Sequence, residues 1–134
     1  MARTAARPGV LVMGLPFLHP LGVAAGYDRD GARTAELVAA GFAFVEIGTI
    51  NVEAASEGAL AALAATLLRH RPSAPSSGRA ILGVSLGSLR AALGTEAGEE
   101  IGAAARTLAG AADFIVVNLS RPNSAARDGG ARTE

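Results

Sequence analysis

Apolar residues along this chain come in short continuous runs, each followed by a longer stretch with helical spacing. The first run is Leu21–Ala25 (LGVAA), with a helical stretch at Ala32–Ala40 after it. The second is Ala43–Gly48 (AFVEIG), followed by Ser56–His70, where Ser56 is the candidate N-cap. Ala80–Gly87 (AILGVSLG) is the third. It precedes a helix over Glu96–Ala109, with Thr95 as its cap and Glu96, Glu99 and Glu100 at its positive end. Asp113–Ser120 (DFIVVNLS) is the fourth. Runs this apolar predict strands buried on both faces, and their alternation with helices predicts an α/β fold with a parallel sheet. Before the first unit, Val10–Leu18 (VLVMGLPFL) predicts a hairpin turning near Met13-Gly14, within an N-terminal segment of residues 1–20. Arg71–Arg79, rich in Pro and Ser, reads as a loop, and residues 124–134 as a flexible tail. The 134 residues are expected to form a single domain.

The polar interruptions of these runs share a position. Gly26 and Asp28 follow the first strand, and Gly48 and Thr49 the second; Ser85 and Gly87 lie in the third, and Asn118 and Ser120 end the fourth. In parallel α/β architectures ligands bind at the C-terminal edge of the strands. Four polar strand ends in register point to a site there. Read as local structure only, Asp28 or Asp30 would cap the first helix, Thr49 would cap or turn, and Ser85 would bond backbone.

Composition narrows the chemistry. Half of the residues are hydrophobic, yet only one Tyr and four Phe are aromatic, so the core must be built from Ala, Val, Leu and Ile. Twelve basic and twelve acidic residues give a formal net charge of zero, which argues against nucleic acid as a partner. With no cysteine, disulfides, thiolate metal sites and a cysteine nucleophile are excluded. His19, before Pro20 in the hairpin turn, and His70, at a helix end, read as structural, and no metal site is expected. The basic-then-apolar start is divided by Pro8, Pro16 and Pro20, and no run approaches the roughly 18 residues of a spanning helix. No small-residue cleavage site follows. A chain without a transmembrane segment, located in the cytoplasm, is the expectation.

The combined motifs resemble the flavin-dependent dihydroorotate dehydrogenases, specifically their quinone-linked class. RPGVLVMGLPFLHPLGVAAGYDRDG resembles that family's bottom hairpin, first barrel strand and flavin loop. LVAAGFAFVEIGTI resembles its second unit, ILGVSLGS its third strand, and ADFIVVNLSRPNSAARD its fourth strand with the catalytic segment that follows. The match runs from about Arg7 to Asp128. It implies half of a (β/α)8 TIM-type barrel, about four parallel strands with helices after an N-terminal hairpin, carrying FMN over the C-terminal strand ends. Ala25, Gly26, Tyr27 and Asp28 would lie along the flavin, Thr49 and Ser85 would stand at flavin-bonding positions, and Asn118 would touch both flavin and substrate. Asn123 would grip the orotate ring, with Arg29 near flavin and substrate.

Departures from the family pattern bear on activity. Arg29 replaces the family's lysine, and a planar fork does not replace a point ammonium at a tight site. Ser85 replaces an asparagine, with less reach. Arg121 occupies the position of the family's base serine; an arginine stays protonated and does not abstract a proton. The family's insertion between Thr49 and Ser56 and its quinone-tunnel helices have no counterpart in this sequence. A full barrel takes about 250 residues, and its phosphate grip usually comes from the loops after strands 7 and 8.

The resemblance therefore implies FMN-dependent oxidation of dihydroorotate to orotate, a step of pyrimidine biosynthesis, impaired or lost in the isolated chain. The alternative is a non-redox half-barrel that binds or transforms an anionic small metabolite through Arg29, Asn118 and Arg121. A third reading is a structural or interaction subunit without chemistry, or a fragment of a decayed gene. Four strands with helices on one side leave largely apolar barrel-facing positions uncovered. A homodimer, or a second half-barrel chain, is the expected partner.

Overall fold

The apolar runs become strands in the computed structural model, which describes residues 9–71, 79–89 and 94–120. The elements are β1 (Val10–Val12), β2 (Leu15–Phe17), β3 (Gly22–Val23), α1 (Thr34–Ala39), β4 (Phe44–Asn51), α2 (Glu57–His70), β5 (Ile81–Gly87), α3 (Thr95–Leu108) and β6 (Phe114–Asn118). β1 and β2 form an antiparallel hairpin; β3, β4, β5 and β6 form a parallel sheet in that order. This is the strand–helix order of half a (β/α)8 barrel behind its N-terminal hairpin.

Strand alternation splits the sheet into two faces. Val45 and Ile47 of β4 and Leu82, Val84 and Leu86 of β5 face the helices, where Leu60, Leu63 and Leu67 of α2 and Ile101, Ala104 and Leu108 of α3 complete the core. Ser56 caps α2 as expected, its hydroxyl accepting from the Ala59 amide at 3.1 Å. α3 instead starts from Gly94 without a side-chain cap, and Thr95 is its first helical residue.

The opposite, barrel-facing side is less apolar than its strand sequences imply. Register places Gly22, Phe44 and Ile81 in one row and Glu46, Gly83 and Phe114 in the next; Ser85 with Val116, then Gly87 with Asn118, follow toward the C-terminal edge. The aliphatic residues of β4 point to the helices, so this face runs from rings at the bottom to polar groups at the top. The hairpin covers the bottom, with Phe17 edge-on to Phe44 at 5.7 Å between centroids. Glycines at 22 and 83 are required there, because a Cβ would enter the rings of Phe44 and Phe114 respectively.

Two elements are shorter than their sequence patterns. β3 keeps only Gly22–Val23, and α1 begins at Thr34 because the preceding residues form a tight turn. The buried Asp28 carboxylate organises that turn. It accepts from the Gly31 amide at 3.0 Å, the Arg33 amide at 3.4 Å and the Thr34 hydroxyl at 2.8 Å. Asp30 accepts from the Ala32 amide at 3.1 Å. Neither aspartate is the N-cap of α1, which is Arg33.

His19 lies past the hairpin turn and ties chain segments together. Its Nε2 is 3.0 Å from the Gly41 carbonyl, and its Nδ1 accepts from the Leu21 amide at 3.2 Å. At the N-terminal end of the sheet Arg79 and Arg71 converge on Asp113. No helix among the described residues is long and apolar enough to cross a membrane. The tail from 124 to 134 lies outside the described residues.

Candidate functional site

The polar strand ends meet through an irregularity in β4. β4 and β5 pair regularly up to Ile47 with Val84 and resume at Ile50 with Leu86, so Gly48 and Thr49 together oppose Ser85. The extra residue shifts the side-chain parity, and Thr49, which would otherwise share the helix-facing side of Ile47, turns onto the barrel face. Glycines admit this geometry. Gly48 has φ +119°, and a Cβ there would lie 2.5 Å from the Ser85 carbonyl oxygen. A Cβ at Gly87 would lie 2.8 Å from Cγ2 of Thr49.

Thr49 is the hub of what results. Its Oγ1 is 3.0 Å from the Ser85 hydroxyl and accepts from Nδ2 of Asn118 at 2.9 Å. The Asn118 amide is oriented from its other side, where Oδ1 accepts from the Ser120 amide at 2.9 Å and the Ser120 hydroxyl at 2.7 Å. The Ser85 hydroxyl therefore bonds a side chain rather than the backbone partner that its place in an apolar strand implies. Three residues, far apart in the sequence and on three adjacent strands, form one hydrogen-bonded cluster.

The loop after β3 is stitched to the same point. The Gly26 amide donates to the Gly48 carbonyl at 2.6 Å, and the Gly48 amide donates to the Asp28 carbonyl at 2.9 Å. Gly26, with φ +111° and open space where a Cβ would stand, sits exposed beside the partly buried Ala25. The Asp28 side chain, only 1% exposed, faces into the protein and is committed to the turn. Tyr27 is turned to the outer edge of the sheet, under the Arg33 guanidinium at 4.4 Å, and lines a hollow with Val23, Leu37 and Phe42. Exposed Arg29 donates from Nε to the Gly26 carbonyl at 3.4 Å. It shares with Thr49 and Asn51 the wall of a 300 Å³ hollow that reaches the start of α2. Arg121 and Asn123 lie outside the described residues.

Glu46 is absent from the sequence-derived site, yet it lies one row below the cluster on the same face. Partial burial pushes its carboxyl above the ordinary carboxylate value, and the nearby Ser85 hydroxyl and Ala25 backbone partly offset the shift. Its signal was a carboxylate inside an apolar strand, a placement that costs free energy unless the group is paired or used. Among the described residues no group of three His, Asp or Glu could hold a metal ion.

No family model matches the chain. Curated relatives do. The chain is 33% identical over 136 residues to a dihydroorotate dehydrogenase (quinone) of Mycobacterium bovis (strain BCG / Pasteur 1173P2), covering 84% of this chain and 36% of that protein. It is 34% identical over 146 residues to the enzyme of the same name from Clavibacter michiganensis subsp. michiganensis, covering 90% and 42% respectively. This chain is a partial-length relative of the quinone-linked dihydroorotate dehydrogenases. A third such relative, from Mycobacterium sp. (strain KMS), is 34% identical over 149 residues, covering 91% of this chain and 40% of its own. The chain thus spans about two-fifths of the length of these relatives.

Proposed function

We propose that this chain is a half-barrel of a dihydroorotate dehydrogenase-type oxidoreductase that holds FMN at the C-terminal edge of its sheet. The convergence of Thr49, Ser85 and Asn118 carries the reading, because the resemblance assigns all three to the flavin and they meet in one hydrogen-bonded cluster. The residues present suit a planar, hydrogen-bonding heterocycle: a small-residue loop with open space at Gly26 lies beside polar groups on the barrel face. Ala25, Gly26, Tyr27 and Asp28 would supply the loop that flanks the cofactor, Arg29 a nearby cation, and Asn123 a contact to the substrate ring. FMN, when bound, supplies the electron acceptor for oxidation of dihydroorotate to orotate. The chain's own residues bind and orient it.

Arg121 at the base-serine position impairs proton abstraction in this reading, so cofactor binding outlasts turnover. The open strands β3 and β6 require completion, and a second copy, or a second half-barrel chain, fills that role in the cytoplasm. Flavin absorbance co-eluting with a dimer, on one sample analysed by absorbance and light scattering after incubation with FMN, is the expected result. Colourless protein that takes up no added FMN overturns the reading. Arg29 on the wall of the hollow beside Thr49 favours a second reading, a non-redox site for an anionic metabolite. Retention of an anion, but not of FMN, would select it.

A further inference from the structure

The members of the cluster differ in how firmly their polarity is set. Thr49 and Ser85 are 3.0 Å apart, and either hydroxyl can give the proton between them. Asn118 has no such freedom. Its Oδ1 accepts from the Ser120 amide at 2.9 Å and from the Ser120 hydroxyl at 2.7 Å. A carbonyl oxygen has two lone pairs, so a single residue two positions along the chain fills it. At the other end Nδ2 gives one of its two protons to Thr49 at 2.9 Å. The second proton has no partner among the described residues, and Gly87, paired with Asn118 in the ladder, contributes no side chain to that row.

The two bonds from Ser120 act differently. Its backbone N–H can only donate, so an amide turned end over end would set two donors against each other. That bond fixes which end of Asn118 faces Thr49. The hydroxyl could serve either end, and here it occupies the lone pair that the backbone leaves.

We propose that Ser120 is a positioning residue for the ligand contact of this site: it fixes Asn118 as a hydrogen-bond donor with no acceptor left. The ligand atom opposite Asn118 is then an acceptor, a carbonyl oxygen or an unprotonated ring nitrogen. A ligand edge that brings an N–H to this point meets another N–H. This polarity is set within the chain before a ligand arrives, so binding does not have to reorganise it. An Asn side chain bonded to the amide two residues on also makes a turn that ends a strand. That role alone requires neither the hydroxyl bond nor an unpaired N–H.

The first test needs no ligand. In the full chain labelled with carbon-13 and nitrogen-15, the Ser120 amide is expected to show a scalar correlation to Asn118 Cγ across the hydrogen bond. Ser120 is exposed, so substitution there leaves the core untouched. In Ser120→Ala the correlation stays, because the backbone bond stays, while the Asn118 Cγ resonance moves upfield as its oxygen loses one donor. Ser120→Thr keeps a hydroxyl and returns Cγ to its wild-type position. A correlation missing in the wild type, or a Cγ resonance that does not move in Ser120→Ala, overturns the proposal.

A second arm rests on the FMN reading. The flavin ring carries carbonyl oxygens and unprotonated nitrogens as well as an N–H, and Asn118 is expected to meet one of the acceptors. On addition of FMN, the Asn118 proton that does not face Thr49 moves downfield while the correlation to Ser120 is retained. Asn118→Asp keeps an acceptor toward Ser120 but has no proton to give. Its FMN affinity, read by flavin fluorescence, is expected to fall about five- to ten-fold, the effect of one hydrogen bond. FMN binding that breaks the Ser120 correlation, or that is undiminished in Asn118→Asp, overturns the proposal and leaves the FMN reading in place. No FMN uptake by the wild type, with the correlation and the Cγ response both present, overturns the FMN reading and leaves the fixed polarity of Asn118 standing.

Discussion

Arg79 closes a two-pronged fork on Asp113, with both N···O distances 2.7 Å, at the end of the sheet opposite the Thr49 cluster. The Asp113 side chain is 1% exposed, and it also accepts from the Leu82 amide at 2.8 Å. It therefore joins the start of β6 to β5 and to the segment before β5. Removing one partner of such a pair strands buried charge. Asp113→Ala is expected to cost about 3–5 kcal/mol in urea denaturation. A loss below about 1 kcal/mol would place the pair with ordinary surface ion pairs.

Asp28 gives a second stability test, now within the loop assigned to the cofactor. Its carboxylate satisfies two amides and the buried Thr34 hydroxyl. Asp28→Ala is expected to destabilise by about 2–3 kcal/mol, the range for losing charge-assisted bonds and leaving buried donors unmet. Thr34→Val should cost less, since the amide bonds survive. Equal losses in the two variants, by thermal or chemical unfolding, would contradict this division of labour.

Gly87 tests the geometry of the cluster. Alanine there would place a Cβ 2.8 Å from Thr49 Cγ2 and force Thr49 away from Ser85 and Asn118. Gly87→Ala should cost about 1–3 kcal/mol through overpacking and shift the Thr49 and Asn118 side-chain resonances together. Unchanged resonances would show that the strand yields elsewhere.

Glu46 makes a prediction about acid and base. Its folded-state titration lies above the ordinary value of 4.5, chiefly through burial. Between 4.5 and the raised midpoint the folded state binds more protons than the unfolded one, so stability falls as pH rises through that window. Below 4.5 both states are protonated, and the full relative stabilisation is present. The free energy of unfolding measured against rising pH should therefore decline more steeply in the wild type than in Glu46→Gln over that interval. Parallel curves would contradict it.

The periodic part of the fold was legible because burial wrote itself into composition. All seven residues of β5 are buried, and their sequence is correspondingly an unbroken apolar run around Ser85. Thr49, Ser85 and Asn118 were legible as polar interruptions at strand ends, and the structure brings them together. The bulge that does so was not, since an extra residue in a ladder leaves no mark in hydrophobic period. Glu46 escaped because a carboxylate in a strand reads equally as a solvent-facing position until the inner face is known. The late start of α1 escaped for a related reason: the bonds of Asp28 claim the backbone of residues that match helical spacing. Arg121 and Asn123, which rest on resemblance, lie outside the described residues.

The two glycines beneath the cluster have a consequence for how this sequence can drift. Gly22 and Phe44 occupy one parcel of volume on adjacent strands, as do Gly83 and Phe114. The ring of one residue fills the space where the other would carry its side chain. Mutation at either member alone is penalised, while an exchange that moves bulk from 44 to 22, or from 114 to 83, conserves the filling. Among natural variants these positions should therefore change in pairs, with small residues at 22 and 83 accompanying rings at 44 and 114.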